Sequence, residues 1–171
     1  MAINIRRFKD QFFRLAPLIL LIYICISEFH THFYFWKIFS FNIQFIIIYY
    51  WILRDPSILG YGFIFSCGMI NDVVLSLPLG TSSLSYLFVS LVAAYVRNAT
   101  VRSTLFTDWF TSIIAILGGN LITYFLIENF TQLKMDYIVV FYNSMFTFIL
   151  YPLFWFIFEL YKKIINLRTY D

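Results

Sequence analysis

Charged residues are scarce in this chain: only 12% of its 171 residues are Asp, Glu, Lys or Arg, against about 25% in soluble domains. This scarcity excludes a water-facing surface over most of the sequence. Hydrophobic residues instead make up 61% of the chain, and the mean hydropathy is +0.80. We therefore expect a polytopic membrane protein with no large soluble domain.

Cysteine is also sparse, and the two that occur, Cys25 and Cys67, both lie inside apolar segments. A structural zinc site needs about four ligands at close spacing, so a thiolate cage is excluded, and we expect no disulfide. Glu28, His30 and His32 are too few for a metal centre and are typical of a membrane interface. Because the sequence has neither a phosphate-binding glycine loop nor a nucleophile beside a base, it predicts no enzyme, metal or cofactor.

Apolar runs long enough to form helices account for most of the chain. A helix needs about 20 mostly apolar residues to cross the hydrocarbon layer, so this length has room for about six crossings. The runs predict an all-α bundle of transmembrane helices in a single domain, over about residues 12–29, 39–53, 57–77, 83–96, 106–127 and 137–161.

The basic residues divide unevenly between the predicted loops. One side holds Arg6, Arg7, Lys9, Arg14, Arg54, Arg97, Arg102, Lys162, Lys163 and Arg168, whereas the other side holds Lys37 and Lys134. Because cytoplasmic loops are the basic ones, both termini are predicted to be cytoplasmic. The basic residues form no continuous stripe, which argues against a nucleic-acid partner.

Asp72 is the first candidate functional residue, because an ionisable side chain at the centre of an apolar helix costs about 2.5 to 3.5 kcal/mol to insert. It could relay a proton, contact a ligand, latch onto another helix or subunit, or cap the turn at Pro78. Gly68 lies one turn earlier on the same helix face, where it leaves a notch that suits close approach of a second helix.

Five further residues are candidates around this carboxylate. Asn71, Asn120 and Asn143 could hydrogen-bond to it across the bundle. Pro78 and Gly80 are expected to serve the chain reversal into the fourth helix, since proline fixes one dihedral angle and glycine tolerates a positive one. None of them is assigned to catalysis.

A series of short motifs runs from the second predicted helix to the last. In order they are Tyr49-Tyr50-Trp51-Ile52-Leu53, Gly62-Phe63, Gly68 with Asp72 four residues on, Pro78-Leu79-Gly80, and Tyr151-Pro152 before a basic tail. Their order and spacing resemble the rod-shape-determining MreD family of bacteria over roughly residues 39–97, with a looser likeness in the last helix. The sequence Phe39-Ser40-Phe41-Asn42 departs from the family, whose members often carry a proline there.

The resemblance implies a compact six-helix bundle similar to the substrate-binding subunits of energy-coupling-factor vitamin transporters. It also implies an inner-membrane scaffold of the machinery that guides lateral peptidoglycan synthesis. MreC would be the direct partner, and MreB, RodA and the transpeptidase that works with RodA would be reached through it. The resemblance carries over four family positions without assigned roles: Gly68, Asp72, Pro78 and Gly80. It leaves open whether the chain forms a homodimer.

A small-molecule transporter subunit of the energy-coupling-factor type is the alternative. It would share the implied fold, and Asp72 could line a vitamin pocket. Those subunits resemble one another in an alanine-spaced face on the first helix, whereas Ala16 and Ser27 are the small residues available here. The sequence therefore favours the scaffold.

Overall fold

The computed structural model describes residues 15–27, 41–100, 104–131 and 137–170, with side chains in the last range as far as residue 163. Within these ranges the regular elements are all α-helices, and no strand is present. The helices are α1 Leu15–Ile26, α2 Ile43–Arg54, α3 Tyr61–Val74, α4 Thr81–Ala99, α5 Leu105–Thr131 and α6 Tyr137–Tyr170. The predicted all-α class is confirmed for this part of the chain.

Helix α2 lies at the centre of the bundle. Its residues from Phe45 to Leu53 are all buried, and α4, α5 and α6 contact it. Leu21 and Cys25 of α1 belong to the same buried core. A helix that is hydrophobic all round is stable only when other helices surround it, so α4, α5 and α6 pack around α2, and α3 packs against α4.

Helices α5 and α6 are the two described helices that are long and apolar enough to cross a membrane. With 27 residues at about 1.5 Å each, α5 is about 40 Å long, which exceeds a hydrocarbon layer of roughly 30 Å. Only 17% of the most apolar segment of α6 is buried, so most of its large apolar side chains face outward. Because α2 and α3 have 12 and 14 residues, the six crossings stay a prediction.

The second and third helices are shorter than predicted. Helix α2 begins at Ile43 instead of residue 39, because Asn42 takes the non-helical N-cap position; residues 39 and 40 lie outside the described ranges. Helix α3 begins at Tyr61 instead of residue 57, because the chain first makes a turn in which the Ile58 N–H donates to the carbonyl of Asp55 at 3.2 Å. The predicted first helix, 12–29, extends beyond the described residues at both ends.

The last three helices are longer than predicted. Helix α4 covers Thr81–Ala99 instead of 83–96, α5 reaches Thr131 instead of 127, and α6 reaches Tyr170 instead of 161. The predicted bounds leave residues 128–131 outside the fifth helix, yet Asn129 is helical and its side chain donates to the carbonyl of Phe125 at 2.7 Å. Polar composition alone therefore misplaced this helix end.

Pro152 lies inside α6 and deprives one backbone carbonyl of its helical donor. Proline has no N–H, so the carbonyl of Phe148, one turn earlier, cannot receive the usual hydrogen bond. The indole Nε1 of Trp109 in α5 donates to this oxygen at 2.9 Å, and the Trp109 and Phe148 rings stack with centroids 5.0 Å apart. A side chain of α5 thus satisfies the backbone group that proline leaves open.

We expect Trp109→Phe to lower the free energy of unfolding by about 1–3 kcal/mol, since phenylalanine keeps a stacking ring but leaves the Phe148 carbonyl without a donor. In a Pro152→Ala background, residue 152 has its own N–H to donate to the Phe148 carbonyl. Trp109→Phe should therefore lower the free energy of unfolding by less in that background. Thermal unfolding of the four purified proteins in one detergent gives this double-mutant cycle. Equal losses in both backgrounds would contradict the assigned role of the indole.

Candidate functional site in the hairpin between α3 and α4

The site residues predicted between positions 68 and 80 lie together in the hairpin that joins α3 to α4. Asp72 lies in the last turn of α3 and is fully buried. Gly80 immediately precedes α4 with φ 101°, a conformation that favours glycine. The carbonyl of Pro78 accepts hydrogen bonds from the N–H of Thr81 at 3.2 Å and from its hydroxyl at 2.8 Å. Pro78 and Gly80 thus form the chain reversal expected from the sequence.

The carboxylate of Asp72 caps the N-terminus of α4. The backbone N–H of Gly80 donates to Oδ2 at 2.8 Å, and that of Ser82 donates to Oδ1 at 2.7 Å. N–H groups at the start of a helix have no helical acceptor, and the positive end of the helix dipole favours a negative charge there. Glycine at position 80 has no side chain for this task, so the cap comes from the preceding helix.

The same residue also takes part in the end of α3. Ser76 adopts the left-handed conformation with φ 54°. The Leu77 N–H donates to the carbonyl of Asp72 at 2.9 Å, and the Ser76 N–H donates to the carbonyl of Val73 at 3.3 Å. These two hydrogen bonds form a Schellman motif at the end of α3. The backbone carbonyl of Asp72 therefore caps the C-terminus of α3, while its carboxylate caps the N-terminus of α4.

Helices α3 and α4 approach closely where Gly68 faces Ser83. A Cβ added to Gly68 would lie 2.6 Å from the Ser83 backbone nitrogen and 2.8 Å from its hydroxyl, so a larger residue would push the helices apart. The Ser83 hydroxyl donates to the carbonyl of Phe65 at 3.1 Å, and the Asn71 side chain donates to the Ser82 hydroxyl at 2.9 Å. The notch that the sequence offered to another helix is filled by α4 of the same chain.

Asn120 and Asn143 belong to a different interface, between α2, α5 and α6. The Asn42 side chain donates to Asn120 Oδ1 at 2.6 Å, and Asn120 donates to the Ser144 hydroxyl at 2.7 Å. The carbonyl of Asn143 accepts from the Thr147 hydroxyl at 2.7 Å. Among the described residues, the expected hydrogen bonds from Asn71, Asn120 and Asn143 to the Asp72 carboxylate are therefore not formed, because its two oxygens accept from backbone N–H groups at the start of α4.

A second buried acid, Asp108, lies in the first turn of α5 and was not predicted from the sequence. Arg54 Nη2 lies 2.9 Å from its Oδ2, and the indole of Trp155 donates to the same oxygen at 3.3 Å. The guanidinium also lies 3.4 Å from Glu159 Oε1 and 5.6 Å from the centre of the Trp155 ring. The predicted helix order places Asp108 and Glu159 at the same end of the bundle as Arg54, and this placement was the sequence signal that could have revealed the cluster.

No protein-family model matches the chain, and no curated protein or solved structure is significantly similar to it. The likeness to MreD thus depends on the motifs quoted above. Glu28, His30 and His32 lie outside the described residues. Elsewhere, among the described residues, no group of three or more His, Cys, Asp or Glu side chains could hold a metal ion.

We expect Gly68→Ala to lower the free energy of unfolding by about 1–3 kcal/mol, because its methyl group would overlap the backbone of Ser83. Gly62→Ala, on the same helix, is the matched control: no atom lies within 4 Å of its added Cβ, and alanine favours a helix by about 0.5–1 kcal/mol. Chemical unfolding of both purified variants measures the difference. Equal stability of the two variants would refute the close helix approach.

Proposed function

We propose that the chain is a non-enzymatic scaffold of the bacterial cell-elongation complex, related to MreD, and that it binds the single-span protein MreC in the inner membrane. One observation carries the proposal. The family positions Gly68, Asp72, Pro78 and Gly80 form a single structural unit, in which they supply the close approach, the cap and the turn. Motifs that are separate in the sequence thus together build the hairpin between α3 and α4.

The outward faces of α5 and α6 suit a protein that meets its partner within lipid. Both helices expose large apolar side chains along their length: Phe110, Ile114, Leu117, Leu121 and Phe125 on α5, and Phe141, Met145, Ile149, Leu153 and Phe156 on α6. Since lipid tails are as apolar as these side chains, helix partners in a membrane are recognised by packing shape and interhelical hydrogen bonds. MreC would therefore dock by shape on such a face.

The geometry of the hairpin changes the role proposed for Asp72. Its side chain is fully buried and its carboxylate oxygens both bind the start of α4, so α4 occupies the place that a partner helix would take. In the proposal Asp72 holds the scaffold in shape, and MreC binds elsewhere on the bundle. Both termini are cytoplasmic, and MreB, RodA and the transpeptidase associated with RodA are reached through MreC.

Co-purification with MreC tests the proposal. This chain and a tagged MreC from the same genome are co-expressed, extracted in mild detergent and isolated through the tag. We expect the chain to be retained in a near-equimolar complex. The matched control is an MreC whose membrane helix is replaced by an apolar helix of scrambled sequence, which should lose the chain because packing shape is lost.

Absence of this chain from the MreC fraction, while its thermal unfolding shows that it is folded, would contradict the scaffold. The same purified protein can be heated with water-soluble vitamins. A ligand at 100 times its dissociation constant stabilises a protein by about 2.7 kcal/mol, so a vitamin-dependent shift of this size would favour the transporter alternative.

A further inference from the structure

Asp108 is buried with only one of its carboxylate oxygens engaged. Arg54 and Trp155 both bind Oδ2, whereas Oδ1 has no hydrogen-bond partner among the described residues. The side chain has no solvent exposure. Buried polar atoms in folded proteins are nearly always hydrogen-bonded, to protein or to an ordered water molecule, because leaving one unpaired is costly.

Tyr151, on α6, has a second buried oxygen without a hydrogen-bond partner in the described part of the chain. Tyr151 is fully buried, and its hydroxyl also has no partner within the described ranges. It lies one turn before Trp155 on α6, so the two side chains project from the same face. Trp155 itself donates to Asp108 Oδ2 at 3.3 Å, so Tyr151 lies one helical turn from a residue that contacts this acid.

The neighbouring contacts place the Tyr151 ring beside the first turns of α5. The Tyr151 and Tyr49 rings meet edge to face with centroids 5.7 Å apart. The Tyr49 hydroxyl is hydrogen-bonded to the Thr111 hydroxyl at 2.7 Å. The Thr111 proton is shared between the carbonyls of Thr107 at 2.6 Å and Asp108 at 3.2 Å, one turn earlier on α5. Tyr151 and Asp108 thus belong to one polar region where α2, α5 and α6 meet, independent of the hairpin between α3 and α4.

We propose that this region binds a water molecule that bridges Asp108 Oδ1 and the Tyr151 hydroxyl. A carboxylate oxygen only accepts and a phenol can donate, so a direct hydrogen bond would satisfy both atoms if they touched. Both atoms instead lack a partner. A water molecule can accept from the phenol and donate to the carboxylate, and two to four polar partners are what a buried water requires.

A metal cation is the less suitable occupant. The Arg54 guanidinium, 2.9 Å from Asp108 Oδ2, already supplies a positive charge to this carboxylate. The bridging water completes a network that joins Arg54 of α2, Asp108 of α5 and Trp155 and Tyr151 of α6. The proposal concerns this network alone and does not depend on the function proposed above.

The substitution Tyr151→Phe tests whether a water molecule is bound, because the bound and the dry site predict opposite changes in Tm. A dry, unpaired hydroxyl is unfavourable, so removing it would leave the Tm unchanged or raise it. A hydroxyl bound to water contributes a hydrogen bond, and its removal should lower the Tm by about 2–4 °C in a chain of this size. Tyr49→Phe, which loses the direct hydrogen bond to Thr111, is the matched control and should show a decrease of similar size.

A second measurement locates the water without a variant. Radiolysis of a bound water molecule generates hydroxyl radicals beside it, so Tyr151 should be oxidised faster than Tyr86, another buried tyrosine, in the native protein. Labelling of Tyr151 no faster than that of Tyr86, or a Tm for Tyr151→Phe equal to or above that of the native chain, would overturn the proposal.

A third comparison separates water from a metal ion. Exchange of sodium chloride for choline chloride at constant ionic strength should leave the Tm of the native protein unchanged if water is bound. A sodium-dependent rise in Tm that Asp108→Asn abolishes would overturn the proposal in favour of a cation.

Discussion

The contact between the carboxylate of Asp72 and the first backbone N–H groups of α4 is the constraint on which the hairpin depends. The carboxylate lies in an apolar helix and has no exposure, so it must find donors inside the protein. The N–H groups of Gly80 and Ser82 need an acceptor for the same reason. Each group removes the cost of burying the other, and this mutual requirement fixes α3 against α4 and brings Gly68 onto Ser83.

The same principle recurs at three other places where the described bundle buries polar groups. The carbonyl that Pro152 leaves open in α6 is bound by Trp109 of α5. Asn120 of α5 joins residues of α2 and α6, and Arg54 of α2 pairs with a buried acid of α5. Because almost every side of α2 is apolar and buried, these few polar contacts set the orientation of the helices around it. The proposed scaffold role requires helices that are held in fixed positions in this way.

The sequence predicted the helical class, because an apolar run long enough to cross the hydrocarbon layer can satisfy its own backbone hydrogen bonds as a helix. It also predicted the turn at Pro78 and Gly80, and the residues of the site from Gly68 to Gly80, since their spacing is local. The ion pair between Arg54 and Asp108 was not predicted, because its members are 54 positions apart and only their placement at the same end of the predicted bundle links them in the sequence. Nor could the sequence show that α4 of the same chain fills the notch at Gly68, which depends on tertiary packing.

Amide hydrogen exchange of Gly80 and Ser82, resolved by NMR in lipid nanodiscs, tests the Asp72 cap most directly. The first N–H groups of a helix ordinarily exchange fast, because they have no helical acceptor. We predict that both amides exchange as slowly as those in the middle of α4, and that Asp72→Asn, which keeps the shape but loses the charge and one acceptor, makes them exchange faster. Rapid exchange of both amides in the native protein would contradict the account.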